Sequence, residues 1–403
     1  MVAGASRTGQ PHGDQRSSLC TGKLCLVYNR DALYQHCDRM ARQTDIMNKP
    51  VLHQFAEGAA PGDAITGQML SIRQWLRDAG YTSEIYAASI HPAMTHEVGD
   101  ALRYRPQFGE MQAIYHHSIG SDVVDHLRQL SMRLLLIYHN VTPPEFFQHS
   151  NPGLAAQLQR GIEQLPSLRE QTGLALGDSS YNTAALIGAG FTHTGTLPLP
   201  LDETDYQHAD DPEALAKLNS SNPWLLFVGR LAPNKRQDDL VKLLYYVRRI
   251  LPEAQLALVG ALWSPPYVRW LRDLVYDLQL ENAVIFTGHV SQQTMVTYYR
   301  HSTLYVSMSE HEGFGKPLVE SMYFNLPVLA YASTGVPDTL DGAGVLFHEK
   351  HFEALAELVD LLVTDQKLRT RVLARQRERL SAFLAPTVRS QWQHYLNQFI
   401  NRS

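Results

Sequence analysis

Short apolar runs alternate with stretches whose apolar residues recur every three or four positions, and the alternation begins at Pro50. Residues 51–55 read as a first strand and 58–62 as a loop. The segment 63–79 reads as a helix, because Ile65, Met69, Ile72 and Leu76 form one buried stripe at helical spacing. Asp63 is placed to cap it. Residues 83–87, 112–116, 133–138, 174–177 and 196–200 continue as strands. The stretch 202–223 is polar and loses the rhythm, as a linker with a short helix does. A second series opens at Trp224 with WLLFVG, followed by a helix over 236–250 and strands at 254–259, 283–287, 302–306, 327–330 and 344–347. Beyond Ala354 the pattern is helical to the end. Strands separated by helices predict an α/β chain with two mostly parallel, doubly wound sheets. Two such units bind ligand in the cleft between them, at the carboxyl ends of their strands.

With 403 residues the chain is long enough for two domains and a substantial core. The divisions expected are 47–205 for the first domain, 206–222 for a linker, 223–385 for the second domain and 386–403 for a last helix. Residues 1–46 are rich in Ser, Gly, Gln and Arg and hold only one short apolar run, at 24–28. They are expected to be a disordered extension or an upstream misread start, with a packed N-terminal arm as the alternative. That run is too short for a signal peptide. A formal net charge of −5 argues against a nucleic-acid binder relying on a basic surface. The apolar runs are strand-sized, well short of a membrane span. Cys20, Cys25 and Cys37 match no zinc spacing, and their odd number disfavours a disulfide framework, so the reducing cytoplasm is the expected location.

The candidate chemistry centres on residues 305–321, YVSMSEHEGFGKPLVES. A strand runs into the turn Gly313-Phe314-Gly315, and Pro317 then stands where a helix begins. Such a turn aims free backbone N–H groups and the positive helix end at an anion, most naturally a phosphate. Glu312 and Glu320 flank it, and carboxylates repel phosphate. They suit sugar hydroxyls on either side, so the ligand implied is a nucleotide sugar. After WLLFVG, Arg230 and Lys235 in GRLAPNK are two cations able to grip a diphosphate. His139 ends the strand LLLIY and faces the same cleft, while His116 and His117 at the end of another strand are candidates for the acceptor side. Gly62, in the first strand–helix turn, would let backbone approach the donor or acceptor, and neighbouring Asp63 is an alternative acceptor contact.

These residues resemble the donor motifs of the family-4 retaining glycosyltransferases with the GT-B fold, from about Met47 onward and most strongly over 224–347. The resemblance implies two Rossmann-like domains and a last helix crossing back to the first. It gives Glu312 to the transferred sugar, Glu320 to the nucleotide ribose, Arg230 and Lys235 to the diphosphate, the 313–315 loop to the donor phosphate, and His139 to the active site. Asn140 stands where the family commonly has Asp. Lys316 replaces a more usual apolar residue and is expected to point into water, with a third cation for the diphosphate as the alternative. Residues 286–290 fall where the family seats its base, and Asp338 in Gly335-Val336-Pro337-Asp338, where Glu is commoner, is given helix-starting duty. The implied reaction is retaining transfer of a mannose- or glucose-type hexose from a nucleotide diphosphate sugar to a saccharide or lipid-linked acceptor, in surface polysaccharide or lipopolysaccharide biosynthesis. It implies no cofactor and no nucleic-acid partner, and a cytoplasmic enzyme with peripheral contact to the inner membrane face. No Asp-x-Asp pair occurs, so no metal is expected. The alternatives are a synthase or phosphorylase with a phosphate or sugar-phosphate acceptor, and a non-catalytic partner subunit, against which the four intact charged residues speak. A nucleotide-binding oxidoreductase with Rossmann halves is disfavoured because no G-x-G-x-x-G follows either first strand.

Overall fold

Residues 133–138 (RLLLIY) are apolar at consecutive positions, which suits a strand covered on both faces. In the computed structural model this strand is near the centre of a seven-stranded parallel sheet. The structure describes residues 49–401 except 108, 219 and 220; the leader 1–46, with its three cysteines, lies outside the described residues. In chain order the first sheet contains β1 (His53–Ala59), β2 (Ile85–Ile90), β3 (Val98–Asp100), β4 (Gln112–His117), β5 (Arg133–Tyr138), β6 (Thr172–Gly177) and β7 (Thr194–Thr196). Their spatial order is β3-β2-β1-β4-β5-β6-β7. The second sheet contains β8 (Trp224–Val228), β9 (Gln255–Val259), β10 (Val284–Gly288), β11 (Leu304–Ser307), β12 (Val328–Tyr331) and β13 (Val345–Phe347), in the order β10-β9-β8-β11-β12-β13.

In both sheets the strand order reverses beside the first strand, so β1 neighbours β4 and β8 neighbours β11. Loops leaving the carboxyl ends of such neighbours diverge to opposite faces and leave a crevice. The loop after β8 and the loop after β11 therefore meet, although the sequence separates them by some seventy residues.

Several elements differ from the expected bounds. The first strand runs on to Ala59, because Gly58 and Ala59 pair with Ser89 and Ile90 of β2, which itself extends past Ala87. The strand expected at 196–200 is instead Thr194–Thr196, paired to Ala175–Gly177; Pro198 and Pro200 beyond it have no N–H to offer a ladder. The short β3 gave no readable alternation. Asp63 caps the first helix, Ala64–Asp78, with Oδ2 accepting from the Thr66 N–H at 2.9 Å. The polar stretch 202–223 holds a 3₁₀ turn, Glu203–Tyr206, and the helix Pro212–Lys217.

After the second sheet the chain returns to the first. Leu201 and Leu384 form a parallel bridge where the two crossings lie side by side. The last helix, Ala385–Ile400, then sets Val388, Trp392, Leu396 and Phe399 on one face, against Leu52, Ile114, Leu135 and Leu174 of the first sheet. Each fully buried large side chain is worth about 1.5–3 kcal/mol. Arg133 fixes the far end, donating to the Phe399 carbonyl at 2.9 Å. No helix among the described residues is long and apolar enough to cross a membrane.

Candidate active site

The loops after β8 and β11 are joined by charge. Lys235 Nζ lies 2.5 Å from Glu312 Oε2, with both side chains largely shielded. Behind this pair, Arg236 adopts a left-handed backbone (φ 50°) and bonds Glu310 at 2.7 Å. Lys350 joins Glu310 (2.9 Å) to Asp239 (2.8 Å), and Lys242 bonds both Asp238 and Asp239. Burial opposes ionisation of Asp238, but its bonds to Arg236 and Lys242 outweigh that and hold its carboxyl down at about 2. This network braces the backbone on which Lys235 and Glu312 stand. Arg230 is not part of the pair; its guanidinium lies over the Trp263 ring, 4.7 Å from the centroid.

In the glycine turn, Gly315 has φ +83° and caps the helix Lys316–Tyr323, a conformation that a side chain would strain. A Cβ on Gly313 would sit 2.7 Å from the carbonyl oxygen of His139, so glycine is required there by close approach of the other domain. The Phe314 ring points the other way, into the core against Phe383 at 5.5 Å, leaving only its main chain to the loop. Glu320 is buried, and both its oxygens accept phenolic hydroxyls: Tyr206 on Oε1 and Tyr299 on Oε2, each at 2.7 Å. Neither tyrosine was legible as a site residue, because Tyr206 comes from the linker and Tyr299 from the helix Gln292–His301, both outside the motif. Lys316, expected in water, is only partly exposed and lies 3.8 Å from Glu320 Oε1.

In the first domain His139 is buried and both its ring nitrogens are occupied. Nε2 is 3.0 Å from His116 Nδ1, and Nδ1 is 3.3 Å from Asp178 Oδ2. The carboxylate missing at Asn140 thus comes from the end of the neighbouring strand β6. His116 continues the chain to Gln54 Oε1 at 3.1 Å. His117 is turned into the core, 2.8 Å from the Gly161 carbonyl, and burial pushes its pKa down to about 4. Gly62 is exposed, with φ +75° and open space where a Cβ would be. Asp63 is committed to its helix cap.

The two domains touch at the 313–315 loop itself. Ser179 Oγ donates to the Gly313 carbonyl at 2.8 Å, and Asn182, held by Asp178, lies 3.5 Å from the same oxygen. Asp338 does more than start a helix: its Oδ2 accepts the Tyr181 N–H at 2.6 Å, near the N-terminus of the helix Ser180–Gly188. Phe147 of the first domain meets Trp263 of the second edge to face at 5.5 Å. Gly288, in the 286–290 stretch, has φ +70° and its carbonyl accepts the Gly260 N–H at 3.2 Å. Among the described residues no group of three or more His, Cys, Asp or Glu could hold a metal ion.

Residues 211–379 match the family described as glycosyl transferases group 1. The fold is GT-B: 86% of the chain superposes on 99% of Anabaena HepE in complex with UDP and glucose, with a TM-score of 0.69 and 19% identity. Over 185 residues the chain is 29% identical to a GDP-mannose-dependent alpha-(1-6)-phosphatidylinositol monomannoside mannosyltransferase of Mycolicibacterium smegmatis, covering 42% of this chain and 47% of that one. It is 24% identical over 194 residues to the capsular polysaccharide biosynthesis glycosyltransferase CapM of Staphylococcus aureus, covering 47% of this chain and 50% of CapM. The matches therefore span about half the length of these curated relatives.

Proposed function

We propose that the protein is a retaining glycosyltransferase that moves a hexose from a nucleotide diphosphate sugar to a hydroxyl of a saccharide or lipid-linked acceptor. The observation that carries this reading is the Lys235–Glu312 pair, 2.5 Å apart between the β8 and β11 loops and beside the Gly313–Gly315 turn. A cation and a carboxylate held together there can divide one ligand between them, Lys235 taking phosphate and Glu312 the sugar. As the glycosidic bond breaks, the diphosphate gains negative charge. Lys235, Arg230 swung from Trp263, and the loop amides stabilise that charge more in the transition state than in the ground state. Buried Glu320 keeps lone pairs beyond those used by Tyr206 and Tyr299, enough to accept from a ribose.

The reading is front-face: the acceptor hydroxyl attacks from the side that the leaving phosphate occupies, and a phosphate oxygen takes its proton. Kinship with mannosyl- and capsule-forming enzymes supports a bacterial surface glycan or glycolipid product, made at the inner membrane face. The test is a thermal-shift panel of GDP-mannose, UDP-glucose and their nucleoside diphosphates, since a ligand that binds only the native state raises Tm. Product made from the stabilising donor is then examined by NMR for its anomeric configuration. No stabilisation by any nucleotide sugar would end the reading, and an inverted anomer would end its retaining part.

A further inference from the structure

A cavity of about 440 Å³ opens on the first domain beside β1, β2 and β3, within the size range of small-molecule sites. It borders His53, the first residue of β1, whereas Gly62 lies past that strand's other end. Seven residues of strand separate the two by roughly 20 Å, so the cavity is distinct from the donor cleft.

Its floor is built from buried polar groups. Glu110 Oε2 is satisfied by the Tyr104 hydroxyl (2.5 Å) and the Gln107 N–H (2.8 Å). Oε1 faces His53 Nε2 across 4.0 Å, too far for a hydrogen bond. His53 Nδ1 accepts the Glu84 N–H at 3.0 Å, which assigns the ring proton to Nε2. Burial lowers the His53 pKa and keeps the ring neutral. An N–H donor and a carboxylate acceptor thus lie side by side, and one hydroxyl seated against both would accept from His53 and donate to Glu110.

The mouth repeats this pairing. Asp100 is fixed by the backbone N–H groups of Leu102 and Arg103, and its other oxygen lies 3.2 Å from the Arg103 guanidinium. Arg105 is held by the carbonyls of Leu102 and Tyr104. An anion would meet Asp100 and Glu110, and a cation would meet two arginines. A neutral ligand with several hydroxyls meets donors and acceptors in alternation, with the rings of Tyr86 and Tyr104 against its C–H faces.

We propose that this cavity is a second binding site, separate from the donor cleft, for a neutral polyhydroxylated ligand, namely a saccharide unit. The inference rests on the cavity alone and not on the glycosyltransferase reading. The test is saturation-transfer NMR and calorimetry with mannotriose, maltotriose and cellotriose, using wild type, Arg103→Ala and Glu110→Gln, without nucleotide. The Arg103 side chain is 88% exposed, so its removal leaves folding intact even where Glu110→Gln disturbs it. At least one trisaccharide is expected to bind with a millimolar Kd, and Arg103→Ala is expected to weaken it roughly tenfold. Binding unaffected by Arg103→Ala, no binding of any of the three, or preferential binding of citrate or choline in their place would each overturn the proposal. None of these outcomes bears on the thermal shift given by nucleotide sugars.

Discussion

His139 Nδ1 lies 3.3 Å from the carboxylate of Asp178, a residue 39 positions away at the end of another strand. The same carboxylate holds Asn182, which reaches the Gly313 carbonyl across the domain boundary. One aspartate thereby ties the strand-end histidine to the glycine turn at 313–315. Asp178→Asn removes the charge while keeping the size. We expect kcat to fall about tenfold, equivalent to about 1.4 kcal/mol of barrier, with the donor KM within about twofold. Steady-state kinetics check this, and a variant with lowered urea midpoint but wild-type kcat would make the tie purely structural.

Glu320 anchors two phenols, and its removal leaves both unpaired in the core. Glu320→Ala should destabilise the protein by about 2–4 kcal/mol and weaken nucleotide binding at least tenfold. Tyr299→Phe, which deletes one hydroxyl and leaves the carboxylate in place, should cost only about 1 kcal/mol. Urea melts give the first comparison and calorimetry with the nucleotide that gives the largest thermal shift gives the second. Equal affinities in wild type and Glu320→Ala would remove Glu320 from the donor site.

Lys235→Ala should lower turnover roughly tenfold or more, and it also leaves Glu312 without its partner. Lys235→Arg keeps the charge but not the compact ammonium that fits 2.5 Å from Glu312, so we expect only partial recovery. Full activity in Lys235→Ala would separate the ion pair from catalysis.

Gly313→Ala places a methyl group against the His139 carbonyl, where no side-chain rotation relieves the contact. The domains must then separate at the 313–315 loop. We expect loss of turnover with little change in far-UV circular dichroism, and a more expanded particle by small-angle scattering. A variant as compact and active as wild type would show that the approach is not needed for function.

Stability should fall on acidification from about pH 6.5 towards pH 4. Burial lowers the pKa values of His53, His116, His117 and His311, the last two to about 4. In that window the unfolded chain binds protons at these residues and the native chain does not, so ∂ΔG/∂pH is positive. Each fully depressed histidine contributes on the order of 1.4 kcal/mol per pH unit. Glu57, whose pKa burial raises, acts with the opposite sign at the acid end of the range. Urea denaturation at pH 7, 6 and 5 checks the slope, and a flat profile would contradict the assigned protonation states.

Apart from the short β3, the alternation of strands and helices, the glycine turn at 313–315 and the charged residues flanking it were legible in the local sequence. Periodicity, Pro317 and the Gly313-Phe314-Gly315 turn are properties of neighbouring residues, and neighbouring residues suffice to read them. The strand–helix rhythm likewise marked two doubly wound α/β domains before any contact was known, and the resemblance of the motifs implied their GT-B arrangement. Tertiary structure alone decided which distant groups share a proton or a charge. Asp178 rather than residue 140 faces His139, because adjacent parallel strands end at the same level whatever their separation in sequence. Tyr206 reaches Glu320 because the linker folds back over the helix Lys316–Tyr323. The cavity at His53 and Glu110 exists only where a strand end, a sheet edge and a loop converge, and no spacing along the chain encodes that convergence.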